Sequence, residues 1–195
     1  MRDLKNKLTS GKNTTNIQSR KTKSFGYQVL GFGSGGVARA PYDISFLVIG
    51  GGASGATSSS AGHSEAGGGG GAGGFRTATE SEVALDTVIT VTVGDGGAAV
   101  APANTTGNPG AASQFSGPGL TTISSAGGGG GGQSNVAGQD GGSGGGGGAG
   151  PSGSGAGSGN VPSTTPAQGN NGATGSNGAQ GGGGGGAGGA GSRGP

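Results

Sequence analysis

GGSGGGGGAG, residues 141–150, decides what kind of fold this chain can have. Only Ser143 and Ala149 interrupt the glycines. Such a segment cannot hold an α-helix, where each Gly costs about 1 kcal/mol relative to Ala. It is equally poor as a strand, because it brings no side chains to pack on a pleated surface. Two readings remain. Gly/Ser-rich stretches make flexible linkers, and they also make extended helices of three residues per turn, which have no internal hydrogen bonds.

The second reading carries a packing requirement. Every N–H and C=O of such a helix points outwards and needs a partner, and a neighbouring helix of the same kind supplies one when no side chain keeps the axes apart. Residues 67–74, 127–132 and 181–191 are similar runs. At about 3.1 Å per residue, eight to ten residues make rods of roughly 25–30 Å that can lie side by side. Buried positions are expected to be Gly, with Ala, Ser or Asn at the edges. A methyl group in mid-run would separate two rods and leave donors unpaired, at roughly 1–3 kcal/mol each.

The rest of the composition agrees that no oily core holds the chain. Gly accounts for 58 of 195 residues, against a usual share of about 7%. Leu, Ile, Val and Phe fall below the rough 20% that a packed core wants. The absence of Cys excludes disulfides and Cys-based metal sites, and a lone His63 cannot form a His cluster. No charged-then-apolar leader and no apolar run of membrane-spanning length is present. Residues 1–40 hold eight of the ten basic residues beside one acid, Asp3. These charges are spaced among Asn, Thr and Ser, so the arm is read as anchoring or solubilising and not as a nucleic-acid site.

Three regions follow. Residues 1–40 form a basic arm ending in an aromatic-glycine stretch, where Phe25, Tyr27, Val29, Leu30 and Phe32 are the candidate docking residues. Residues 41–126 form a β-containing glycine-rich segment, and residues 127–195 the rods with their polar loops. YDISFLVIGG, 42–51, is expected to be a strand with Ile44, Phe46 and Val48 on one face. Residues 88–93 alternate Ile89, Val91 and Val93 against Val88, Thr90 and Thr92, as a half-buried strand would. Asn108-Pro109-Gly110, Gly117-Pro118-Gly119 and the segment around Asp95 read as turns. The expected fold class is mostly irregular, with a small antiparallel β portion, packed polyglycine-II-type rods and no α-helix.

FLVIGGGASGA, 46–56, carries Gly50, Gly52 and Gly55 in G-x-G-x-x-G spacing. A dinucleotide site also needs a helix opening at that loop and an acid ending the next strand; here 67–71 is all glycine, and neither Glu65 nor Glu80 ends an apolar strand. His63, Ser64 and Glu65 are adjacent in sequence, which is not how a triad is built. Glu80, Glu82 and Asp86 read as a solvated edge. No enzyme activity, cofactor or metal is expected.

The order of the pieces is more specific than any one of them. LVIGG (47–51), GGGGGAGGFR (67–76), ITVTVGDGG (89–97), GNPGAASQF (107–115) and ISSAGGGGGG (123–132) follow one another, with further glycine runs behind. Over roughly residues 42–191 this resembles the glycine-rich module of bacteriophage tail-fibre proteins. The resemblance to the distal adhesins of T-even-type phages implies a bundle of polyglycine rods whose loops carry host-receptor specificity. It places the tip loops at 133–140 and 151–180, with Gln133, Asn135, Gln139, Asp140, Asn160, Thr164, Thr165, Gln168, Asn170 and Asn171 as candidate contacts for a host surface glycan or protein. The implied protein is a virion component at the particle surface, a homotrimer joined to other virion proteins through residues 1–40. A host adhesin proper, a head-decoration fibre and an ice- or surface-binding protein are the alternatives.

Overall fold

The computed structural model describes residues 40–58, 65–101 and 103–194; the docking candidates of residues 25–32, and His63 and Ser64, lie outside them. Among the described residues there is no helix, and the five strands are short. Strand β1 (Tyr42–Ile49) pairs antiparallel with β2 (Phe75–Val83), while β3 (Thr90–Thr92), β4 (Ser113–Ser116) and β5 (Ile123–Ser125) form a second antiparallel sheet in that order. As expected, β1 turns Ile44, Phe46 and Val48 inwards, with Val48 buried. Phe46 stacks on Phe115 of β4 with ring centroids 3.9 Å apart, and this pair joins the two sheets.

One expectation about the strands needs correction. The strand at 88–93 is reduced to three residues at the free edge of its sheet, and Val91 is 66% exposed where a half-buried face was expected. Val91 and Val93 line an open cleft beside Leu47 and Ile49 instead of packing against a second layer. Strand β2 carries no apolar alternation, because Arg76, Ala78 and Glu80 alternate with Thr77, Thr79 and Ser81. It is held by its register against β1, by Ser45 Oγ to Thr79 Oγ1 at 2.9 Å, and by Arg76 donating to the Ser124 carbonyl at 3.0 Å.

The larger part of residues 41–195 is a bundle of glycine rods, and its hydrogen bonds reveal the helical repeat. In rod 141–150, Gly144, Gly147 and Gly150 donate to Asn170, Ala173 and Ser176. Gly145 and Gly148 donate to Gln139 and Val136, and Gly146 and Ala149 to Gly69 and Ala66. Each neighbour is therefore met at every third residue, which is the signature of a three-residue helix. The carbonyls obey the same rule: Gly144 and Gly147 accept from Gly185 and Gly182, Ser143 and Gly146 from Gly129 and Gly132, and Gly145 from Gly157. Rod 141–150 thus has six neighbours in a closed ring, namely 66–74, 126–132, 136–140, 154–158, 170–176 and 181–186. Every residue of it is buried.

Glycine serves here for its missing side chain more than for its backbone freedom. A positive φ in the left-handed region occurs only at Gly73, Gly119, Gly153 and Gly178 among the described glycines. Elsewhere a side chain is excluded by contact: a Cβ at Gly145 would lie 2.7 Å from the Gly130 carbonyl carbon, and one at Gly131 2.7 Å from that of Gly68.

Burial did not demand Gly at every place. Ser143 and Ala149 are both fully buried. The Ser143 hydroxyl donates to the Gly73 carbonyl at 2.7 Å, supplying in side-chain form the hydrogen bond a rod would otherwise make through its backbone. Ala149 sits at the rod end, where its N–H still reaches the Ala66 carbonyl at 2.7 Å.

Several stretches read from sequence as loops or turns are rods too. Residues 50–57 run antiparallel to 66–74 through Gly50, Ala53 and Ala56 donating to Gly74, Gly71 and Gly68, so the three spaced glycines lie on an extended rod. Residues 105–111, with the supposed turn at Pro109, run beside them and donate from Gly107 and Gly110 to Gly131 and Gly128. Asp95 also lies on extended chain, its carbonyl accepting from Ala111. The turn at Pro118 is present, closed by the Leu120 N–H on the Gly117 carbonyl at 3.1 Å with Gly119 at φ 74°.

Candidate functional site

The rods run up and down, so their connections gather at two ends. Strands β1 to β5 feed rods 50–57, 66–74, 94–97, 105–111 and 126–132 at one end. The loops 133–135, 150–153 and 177–180 meet at the other. There Asn135 donates its N–H to Ala149, its Oδ1 accepts from the Ser152 N–H at 3.1 Å, and Gly150 bridges to Asn177. Gln180 and Ser176 close the last of these loops, N–H to Oγ at 3.2 Å.

This arrangement divides the ten residues expected at a tip. Gln133 and Asn135 are at the far end. Asp140, Asn160, Thr164, Thr165 and Gln168 are at the sheet end, as the Phe75 N–H on the Gln168 carbonyl at 2.7 Å shows. Gln139 lies along a rod, exchanging backbone hydrogen bonds with Gly130 and Gly145. Asn170 and Asn171 begin rod 170–176 near the sheet end.

Most of these polar groups are occupied in holding corners. Asn160, at φ 56°, uses Oδ1 to accept from the N–H groups of Thr164 and Gln168 and from the Thr164 hydroxyl. Asp140 Oδ1 accepts from Ser158 at 2.6 Å, and Asn171 Oδ1 from Gly159 at 2.8 Å. Asn170 Nδ2 donates to the carbonyls of Gly186 and Ala187. Gln168 is corrected outright as a surface contact, since it is only 1% exposed. Its Oε1 accepts from Ala126 at 2.8 Å and its Nε2 donates to Pro162 at 2.7 Å, tying the loop 159–168 to the root of rod 126–132. Asn and Gln have the right reach for this because each carries both donor and acceptor.

Sequence reading missed Ser152, Ser176, Asn177 and Gln180 at the far end. The signal was present as Pro151-Ser152-Gly153 and Ser176-Asn177-Gly178, turn-forming triplets placed at rod boundaries.

Two concavities open at the sheet end among the described residues. A cleft of about 270 Å³ between the sheets is lined by Phe46, Leu47, Ile49, Val91, Val93 and Phe115 among others, and a second of about 230 Å³ lies among Phe75, Arg76, Ile123, Thr165 and Pro166. Leu47, Ile49 and Val93 are half or more exposed. Among the described residues, no three of His, Cys, Asp and Glu come together.

The chain matches, over residues 21–195, the family described as a glycine-rich domain, and it belongs to that family. No curated protein and no solved structure gives a significant match.

Proposed function

We propose that this glycine-rich domain protein is a non-enzymatic structural component of a phage particle, a fibre or fibre-tip subunit. Residues 1–40 anchor it to other virion proteins, and the rod bundle projects outwards as a homo-oligomer. The observation that carries this reading is the polarity of residues 41–195. The end at which β1 begins bears the exposed apolar side chains Leu47, Ile49, Val91 and Val93, and the opposite end bears small loops that are polar apart from the exposed Val136. A bundle stiffened through backbone hydrogen bonds in its interior suits a spacer between an attachment point and a display surface. The ordered likeness to tail-fibre modules supports the same reading.

A receptor-binding adhesin is the second reading, favoured by the cluster of Asn135, Ser152 and Asn177 at the far end. Such a surface suits hydrogen bonding to sugar hydroxyls through amides and hydroxyls. Particles lacking the chain distinguish the two. Loss of adsorption from otherwise intact particles indicates the adhesin, and loss of an appendage with normal adsorption indicates the structural subunit. Deleting residues 1–40 abolishes incorporation; a truncated chain that still enters particles refutes the anchoring role.

A further inference from the structure

The interior of the bundle defines what each rod wants around it, and the outer rods show where that demand is unmet. Rod 66–74 uses Gly68, Gly71 and Gly74 to meet rods 126–132 and 50–57. It uses Ala66, Gly69 and Ala72 to meet rods 141–150 and 181–186. The third set, Gly67 and Gly70, has no partner for either N–H or C=O among the described residues. Around rod 141–150 six directions are filled; around rod 66–74 four are filled, and the two open ones are adjacent.

The flanking rods repeat the pattern. Gly181 and Gly184 of rod 181–186 are likewise without backbone partners, as is Gly55 of rod 50–57. The carbonyls of Ala53 and Ala56 accept no hydrogen bond from the described residues. Rods 50–57, 66–74 and 181–186 therefore form an outer layer with two grooves. One offers Ala53 and Ala56 carbonyls beside Gly67 and Gly70 N–H groups. The other offers Gly67 and Gly70 carbonyls beside Gly181 and Gly184 N–H groups. Along each groove the groups repeat every three residues, about 9 Å.

We propose that this layer is a self-association surface that docks a second copy of the chain, outer layer against outer layer. The occupant follows from backbone complementarity. A groove with both donor and acceptor rows at a three-residue repeat is satisfied by another three-residue rod that has N–H groups, which a proline-rich helix lacks. That rod must also come close without side chains. The same layer on another copy presents such a rod, with the same unpaired donors and acceptors. This is the open-edge problem of a β-sheet transferred to glycine rods. The inference does not depend on the virion reading.

Gly52 and Gly55 allow a clean test, because both are exposed and a Cβ at either has only ordinary contacts, 3.6 Å from the Ala72 carbonyl and 3.4 Å from that of Gly68. The Gly55 Cβ would stand 3.9 Å from the Gly70 nitrogen, at the mouth of the first groove. Sedimentation of the full chain over a dilution series is expected to show a species of at least twice the 17.5 kDa chain mass, dissociating on dilution. The Gly52→Gln/Gly55→Gln double variant should lose that species while melting with the dissociated wild type measured at high dilution. Gly188→Gln, where nothing lies within 4 Å of a Cβ, should keep it. Amide exchange at Gly67 and Gly70 should slow only as the oligomer forms. A full chain that stays monomeric, a folded double variant that still associates, or Gly67 and Gly70 amides already protected in the monomer would each overturn the proposal.

Discussion

Replacing Gly146 by Ala tests whether rod contact holds the bundle together. The new methyl group would fall against the Gly182 carbonyl, with its carbon 2.5 Å from the Gly182 carbonyl carbon and 2.9 Å from that of Gly183. Ordinary carbon contacts need about 3.5 Å, so rods 141–150 and 181–186 must part by about 1 Å. The bonds from Gly182 to Gly147 and from Gly185 to Gly144, both 2.8 Å, would then stretch beyond hydrogen-bond range. Two buried donors left unpaired cost about 2–6 kcal/mol at roughly 1–3 kcal/mol each. That is a large part of the 5–15 kcal/mol typical of a folded domain, and corresponds to a fall in Tm of about 5–20 °C for a chain of this size. Thermal unfolding followed by circular dichroism or calorimetry reads it directly. Gly188→Ala is the control: it has open space around the Cβ and no positive φ, and should leave Tm unchanged or slightly raised. A Gly146→Ala protein that melts with the wild type would refute the reasoning, because a flexible glycine linker is indifferent to one methyl group.

Three further substitutions probe the polar groups that replace a core. Gln168→Leu removes the acceptor for the Ala126 N–H and the donor for the Pro162 carbonyl; urea denaturation should show a loss of about 2–6 kcal/mol. Ser143→Ala leaves the Gly73 carbonyl without its donor and should cost about 1–3 kcal/mol in the same assay. Ser125→Ala should go the other way, because the Ser125 hydroxyl is fully buried and has no hydrogen-bond partner among the described residues. Removing it should stabilise the protein by about 1 kcal/mol, and a marked loss would mean that the hydroxyl is satisfied.

How far the residues announced this structure depends on which force holds each element. Strand β1 was legible because Ile44, Phe46 and Val48 alternate with a consistent inward face. Strand β2 was not, since it is held by register and polar contacts that leave no apolar period in FRTATESEV. The contiguous glycine runs announced the central rods, and the mixed rods around them were missed for a physical reason. An outer rod needs a bare Cα only where it faces another rod, and that requirement recurs every third residue. Gly169, Gly172 and Gly175 in GNNGATG all face rod 141–150, where a Cβ would meet the carbonyls of Gly142, Gly145 and Gly148. Between them, Asn170 and Asn171 point their amides at neighbouring loops. A period of three in spaced glycines was therefore the readable signal, diluted by the side chains that an outer rod tolerates between them.

The candidate tip residues were legible as corner residues but not as to which corner they hold. That depends on the up-and-down order of the rods, which the pairing partners fix and local composition does not. Asn160 and Gln168 share the polar character of Asn135 and sit at the opposite end of the bundle from it.

Amide hydrogen exchange along residues 141–150 tests the central claim most directly. If the run is a rod enclosed by six neighbours, the N–H groups of Gly142 and residues 144–150, each with a backbone acceptor, should be strongly protected, while the amide of exposed Gly188 exchanges freely. Exchange of all of them at unstructured-chain rates would mean that the run is a flexible linker and that no hydrogen-bonded bundle exists.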